Sequence, residues 1–236
     1  MKRIISLFLA AALALSLAAC GGSGIDISQP ENLATFDEPS YMQTEGGAVE
    51  DSFNVNGRRF NLTLYEFTSK YNAEKQLRGD SDLLTMDNWK KNGQVTKDNK
   101  GVKIQYYYYY DDENLNLTAT VEVDCDKLVN IGCGTTVSRF TGKENGKNNS
   151  DAILLKAALA AQVVCGYDSS YLNTLQDIFY KTTTGTETSL YYDGFVFALN
   201  TKNENGDKEK GLMLFRVFPV TEEHRQEWKL KDYKDM

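Results

Sequence analysis

The chain has 236 residues, 41% of them hydrophobic, and carries 33 Asp and Glu against 26 Lys and Arg for a formal charge of −7. That balance argues against nucleic acid as a partner, because its recognition needs clusters of basic residues to neutralise phosphates. With 14 Tyr and 11 Phe, a chain this long can bury about 70% of its unfolded surface in one core.

Lys2 and Arg3 precede an apolar run from Ile4 to Leu17, the length of a signal-peptide core and short of the ~20 apolar residues a spanning helix needs. Leu17-Ala18-Ala19-Cys20 follows, then Gly21-Gly22-Ser23-Gly24. This stretch resembles the lipobox of bacterial lipoproteins, in which an aliphatic and two small residues precede a cysteine. The resemblance covers only these first residues. It implies that residues 1–19 are a cleaved signal and that the thiol of Cys20 receives a diacylglyceryl group. The small side chains at 18 and 19 give a peptidase access to the backbone. One acyl chain binds a bilayer marginally, so two or three on one cysteine make the anchor stable. The expected location is the cell membrane or outer membrane, lipid-anchored and facing away from the cytoplasm. Cleavage removes Lys2 and Arg3, leaving 24 basic against 33 acidic residues.

Residues 20–49 read as a tether, with Pro30, Pro39, Gly46-Gly47 and no periodic apolar pattern. Some thirty flexible residues span roughly 30 Å. Residues 50–236 read as one α+β domain. It opens with a hairpin signal, Asn56-Gly57 between Phe53-Asn54-Val55 and a strand from Arg58 to Phe67. Thr68 or Ser69 then caps a helix from Tyr71 to about Leu77, and Leu83 to Lys91 forms a second short helix.

A three-strand meander follows. Val102, Ile104, Tyr106, Tyr108 and Tyr110 share one strand face, and Lys103, Gln105, Tyr107 and Tyr109 the other. A four-residue loop, Asp111 to Asn114, sets Tyr108 opposite Leu117 and Ile104 opposite Val121. A return near Asp126-Lys127-Leu128 brings Val129, Ile131, Cys133, Thr135 and Val137 onto the same apolar face. The other face is polar, so the sheet is antiparallel with helices packed on one side. Ser150 or Asp151 caps a buried helix to Cys165, ended by Gly166. Ser169 or Ser170 starts another through Tyr171, Leu172, Leu175, Ile178 and Phe179. Leu190–Asn200 and Leu212–Val220 pair as a central hairpin around a solvated loop, Thr201 to Lys210.

Catalytic chemistry finds little footing. Asp124 and Asp126 flank Cys125, Cys165 sits at the negative end of a helix, and Cys133 faces the core, so none is placed as a thiolate. With Cys20 lipidated, three thiols remain and the fold does not depend on disulfides. The lone His224 lies in an acidic stretch near the C-terminus. Metal-ligand spacings are lacking, and Asp111-Asp112-Glu113 reads as a solvated loop. Gly142 to Asn148 departs from P-loop spacing, and Gly132-Cys133-Gly134 lacks the third glycine of a dinucleotide fingerprint. No cofactor is expected.

The unusual feature is the run Tyr106 to Tyr110. If the even residues pack under the helices, Tyr107 and Tyr109 form an aromatic platform bordered by Asn116, Thr118, Thr136 and Ser138. Such a surface suits an envelope protein or a glycan. The sequence thus points to a lipid-anchored binding or interaction module, then to a glycan-binding surface protein. A small envelope hydrolase, assembled from scattered Asp, Glu, Ser and Tyr, comes third.

Overall fold

The computed structural model describes residues 48–110, 115–204 and 207–236. The signal segment, Cys20, most of the tether and the acidic loop Asp111–Asn114 lie outside them. The fold is α+β. Eight strands form one sheet: β3 (Lys90–Lys97), β4 (Lys103–Tyr110), β5 (Leu115–Glu122), β6 (Lys127–Thr136), β9 (Ser189–Tyr192), β10 (Phe195–Glu204), β11 (Asp207–Pro219) and β12 (Lys231–Asp232), in the order β12-β9-β10-β11-β6-β5-β4-β3. Neighbours are antiparallel except the edge pair β12 and β9. Two small hairpins stand apart from it, β1 (Val49–Asp51) with β2 (Arg58–Phe60) and β7 (Lys143–Glu144) with β8 (Lys147–Asn148).

The N-terminal hairpin forms, but its strands sit elsewhere than the hydropathy suggests. Asp51 pairs with Arg58, so Phe53 to Val55 belong to the turn. Gly57 closes it at φ +72°, a conformation glycine adopts without strain. Phe60 ends the second strand because Thr63 starts helix α1 (Leu64–Leu77) five residues before Thr68. Thr63 Oγ1 accepts from Glu66 N, and the Glu66 carboxylate accepts from Thr63 N at 2.7 Å. This reciprocal capping box is written in Thr63-Leu64-Tyr65-Glu66, and it overrides the strand-like reading of Arg58 to Phe67.

Leu83 to Lys91 holds only a single 3₁₀ turn, Met86–Asn88, before β3 begins at Lys90. That edge strand is polar and Lys-rich, a composition that protects a sheet edge from further pairing. It bulges between Asn92 and Thr96.

After β6 the chain turns directly into α2 (Val137–Thr141), because Thr136 Oγ1 caps Arg139 N. Val137 therefore leaves the sheet. Helix α3 (Asn149–Cys165) is buried along most of its length and ends at Gly166 with φ +71°. Helix α4 (Leu172–Thr184) places Phe179 edge-on to both Phe197 and Phe215. Leu190 to Asn200 is two strands rather than one, broken at Asp193-Gly194 where both residues have positive φ.

These helices share one face of the sheet and make a continuous core with Leu117, Ala119, Val121, Ile131, Cys133, Phe197 and Phe215. The C-terminal segment goes to the opposite face. There Tyr191, Val196, Ala198, Phe218, Val220 and Leu230 form a second, smaller cluster. Arg225 of helix α5 (Glu222–Glu227) lies 4.0 Å over the Tyr191 ring. The rest of that face, across β4, β5, β6 and the middle of β11, has no helix on it among the described residues. None of the described helices is long and apolar enough to cross a membrane.

Candidate functional site

The meander's register decides which tyrosines line the open face. Tyr110 pairs with Asn116, Tyr108 with Thr118, Tyr106 with Thr120 and Ile104 with Glu122. Residues 111–115 rather than 111–114 therefore separate the paired strands, and the slip of one residue turns β4 over relative to expectation. Tyr107 and Tyr109, each 6% exposed, face the helices. Tyr106 and Tyr108 are half-buried on the open face, and Tyr110 is 37% exposed there. The proposed Tyr107 and Tyr109 platform is thus corrected to Tyr106, Tyr108 and Tyr110.

The remaining residues of that platform divide. Asn116, Thr118 and Thr136 do lie on the open face, since β5 and β6 keep the expected parity from Asn130 onward: Leu117 meets Cys133 and Ala119 meets Ile131 on the helix side, whereas a register shift beyond Thr120 puts Leu128 rather than Val129 opposite Val121. Thr136 is occupied in capping α2. Ser138 stands within that helix instead of on a strand, exposed and 3.1 Å from Thr136 Oγ1.

Tyr109 is fixed by an aromatic chain. Its ring meets Trp89 edge-on at 5.4 Å, and Trp89 meets Phe67 of α1 at 6.4 Å. Its hydroxyl accepts from Thr85 N at 3.2 Å, while Trp89 Nε1 donates to Thr68 Oγ1 at 3.0 Å. Burial pushes the Tyr107 phenol up to about 12, with the Asp126 carboxylate adding to the shift. An unfolded tyrosine ionises near 10, so this preference stabilises the fold fully below pH ~10 and is lost as pH rises from ~10 to ~12, by roughly 2–3 kcal/mol. Urea midpoints should fall more steeply between pH 9.5 and 12 for wild type than for Tyr107→Phe. Parallel declines would place Tyr107 in solvent.

The open face has the form of a trough. Its floor is Gly132 and Gly134 of β6, opposite Arg216 and Leu214 of β11 on one side and Thr118 and Asn116 of β5 on the other. A Cβ on Gly132 would stand 2.7 Å from Thr118 Oγ1 and 3.1 Å from Arg216 Cγ. The Arg216 stem therefore runs across the bare glycine toward β5. Arg216, Leu214, Thr118, Asn130, Tyr106 and Tyr108 line one small indentation there. Tyr108 and Tyr110 meet edge-on at 5.0 Å beside it. Asn130 Nδ2 donates to Thr120 Oγ1 at 2.9 Å. Asn116 Oδ1 and Arg216 Nε are buried without hydrogen-bond partners. Burial lowers the Arg216 pKa, while the Tyr106 phenol opposes that shift.

Arg216 escaped the sequence reading, although a lone charge in the apolar stretch Leu212 to Pro219 of a central strand marks it. Other candidates stay structural in character. Cys125, Cys133 and Cys165 form no disulfide among the described residues, and burial pushes Cys125 and Cys165 up. His224 Nδ1 lies 2.8 Å from Thr221 Oγ1 at the cap of α5. Asn145-Gly146, both at positive φ, make the turn of the β7–β8 hairpin. A second aromatic group, Tyr167, Tyr171, Tyr192 and Tyr233, has two of its four tips tied internally: Tyr167 donates to Asp193 and Tyr233 to Asp177. Among the described residues no cluster of His, Cys, Asp and Glu could hold a metal.

Comparison with protein-family models, with curated proteins and with solved structures returns no match.

Proposed function

We propose that the chain is a lipid-anchored, extracytoplasmic binding module that takes a saccharide on the open face of its sheet. The observation that carries this reading is the trough itself. Three tyrosine rings of β4 stand beside the small polar groups of β5, with the glycines of β6 beyond them, the helices on the other side and the C-terminal segment packed at β9, β10 and the end of β11. A ring offers apolar area to the flat face of a sugar, and Asn and Thr offer hydrogen bonds to its hydroxyls. Lipidation at Cys20 rests on Leu17-Ala18-Ala19-Cys20.

The full-length protein should incorporate labelled fatty acid, and Cys20→Ala should not. On saccharide arrays and isolated envelope glycans, Tyr106→Ala/Tyr108→Ala should lose at least tenfold in apparent affinity while keeping a cooperative melt. Equal labelling would remove the anchor. Unchanged capture by the double variant, or retention of an envelope protein and no saccharide, would remove the binding mode.

A further inference from the structure

We propose that the saccharide bound on the open face carries an oxyanion, a carboxylate or a phosphate, and that Arg216 receives it. The inference deepens the preceding reading and depends on the open face being the ligand surface. Its first support is an asymmetry among the arginines. Arg58 pairs with Asp51, Arg59 with Glu50 and Glu122, Arg78 with Glu74, Arg139 with Glu144, and Arg225 with Glu222 and Asp232. Arg216 alone of the described arginines has no carboxylate partner, in a chain whose acids outnumber its bases.

Position sharpens the point. The side chain is half-buried in the middle of the sheet, its Nε is buried with no acceptor, and its stem lies over Gly132. A cation withdrawn from water without a counter-charge is a standing cost to the fold, which an anion of matching geometry recovers on binding. The guanidinium is planar and presents parallel N–H donors, the match for a carboxylate or phosphate rather than for a neutral hydroxyl.

The surroundings say what carries the oxyanion. Tyr106 and Tyr108 share the indentation with Arg216, and the guanidinium carbon lies over the Phe218 ring, 5.9 Å from its centroid. Thr118 Oγ1 abuts the same glycine, and Asn130 shares the indentation. Aromatic faces, hydroxyl-bonding groups and one unpaired guanidinium together describe an acidic sugar. The acidity of the whole chain works against loose accumulation of anions, so recognition falls to this one residue.

The test is a titration of the full-length protein in detergent micelles, followed by NMR at the arginine Nε–Hε resonances. The probes are glucose, glucuronate and glucose 6-phosphate, which differ in the oxyanion they carry. Glucuronate or glucose 6-phosphate should shift the Arg216 resonance saturably, with a dissociation constant at least tenfold below that of glucose, and which of the two acts distinguishes carboxylate from phosphate. Arg216→Gln should remove the advantage of the acid over glucose. Should that variant fail to fold, Arg216→Lys, which keeps the charge but not the fork, should reduce the advantage at least threefold. Acidic sugars binding no tighter than glucose, or an advantage that survives both variants, would overturn the oxyanion and leave the saccharide reading intact. A face on which none of the three produces a saturable shift, in a protein that also captures no envelope glycan, would overturn both.

Discussion

Tyr109→Ala should destabilise the protein by about 3–5 kcal/mol, the usual consequence of truncating a large buried aromatic, whereas Tyr108→Ala one position away should cost no more than about 1 kcal/mol. Tyr109 is 6% exposed and forms one end of the Tyr109–Trp89–Phe67 series that joins β4, the start of β3 and α1. Its loss opens a cavity against Trp89 and leaves the Thr85 N–H without its acceptor. Tyr108 packs against Tyr110 on the open face and holds no comparable position. For a chain of this size the difference amounts to a melting temperature on the order of 10 °C lower for Tyr109→Ala. Thermal melts of the two variants decide the matter, and a more costly Tyr108→Ala would mean that β4 presents the opposite face.

That contrast marks where the sequence was legible and where it was not. Alternation in β5 and β6 is decisive, since Leu117, Ala119 and Val121 oppose Asn116, Thr118 and Thr120, and the structure keeps both assignments. In β4 the five consecutive tyrosines are equally apolar on both faces, so parity had to be taken from Val102 to Gln105, where it misleads. Ile104 is buried but outside the main core, opposite Glu122 at the end where that carboxylate accepts from Ser52 at 2.5 Å and Arg59 at 2.8 Å. Gln105 is 3% exposed on the helix side, and its amide donates to Tyr106 O at 2.9 Å and to Asn92 O and Gly93 O at the β3 bulge. A bulge in the neighbouring strand is a tertiary fact that no local pattern contains. The helices were easier, because caps and glycine stops are local: Gly166 ends α3 as its position suggests and Thr63 gives α1 its own start signal, although α3 begins at Asn149, ahead of Ser150 and Asp151, and Ser169–Tyr171 is a 3₁₀ turn that precedes α4. The trough on the open face was legible in part. Its threonine and asparagine wall follows from β5 parity, but Arg216 and the tyrosines that face it are brought together only by the β11–β6–β5–β4 order.

The two floor glycines should respond to the same substitution in opposite ways. At Gly132 a new Cβ would stand 2.7 Å from the Phe215 carbonyl oxygen, 2.7 Å from Thr118 Oγ1 and 3.1 Å from Arg216 Cγ. The first is backbone in the neighbouring central strand and cannot swing aside, so β6 and β11 must separate or the added methyl must strain the sheet. Overpacking of this kind costs typically ~1–3 kcal/mol. At Gly134 the nearest atoms to a new Cβ are Leu214 Cδ1 at 3.7 Å, Met213 O at 3.9 Å and Asn116 O at 4.0 Å, ordinary contacts that need no adjustment. There alanine also removes some of the freedom that glycine has in the unfolded chain, which favours the fold by about 0.4–1 kcal/mol. Gly132→Ala should therefore lower the urea midpoint and Gly134→Ala should hold or raise it, although both lie on one strand, two residues apart, facing the same way. Because the Arg216 stem rests on Gly132 and not on Gly134, only the first variant should also move the Arg216 Nε–Hε resonance in the ligand-free protein. Equal destabilisation by the two alanines, or an Arg216 resonance indifferent to Gly132→Ala, would mean that the side chain does not cross the glycine and that the trough has a different floor.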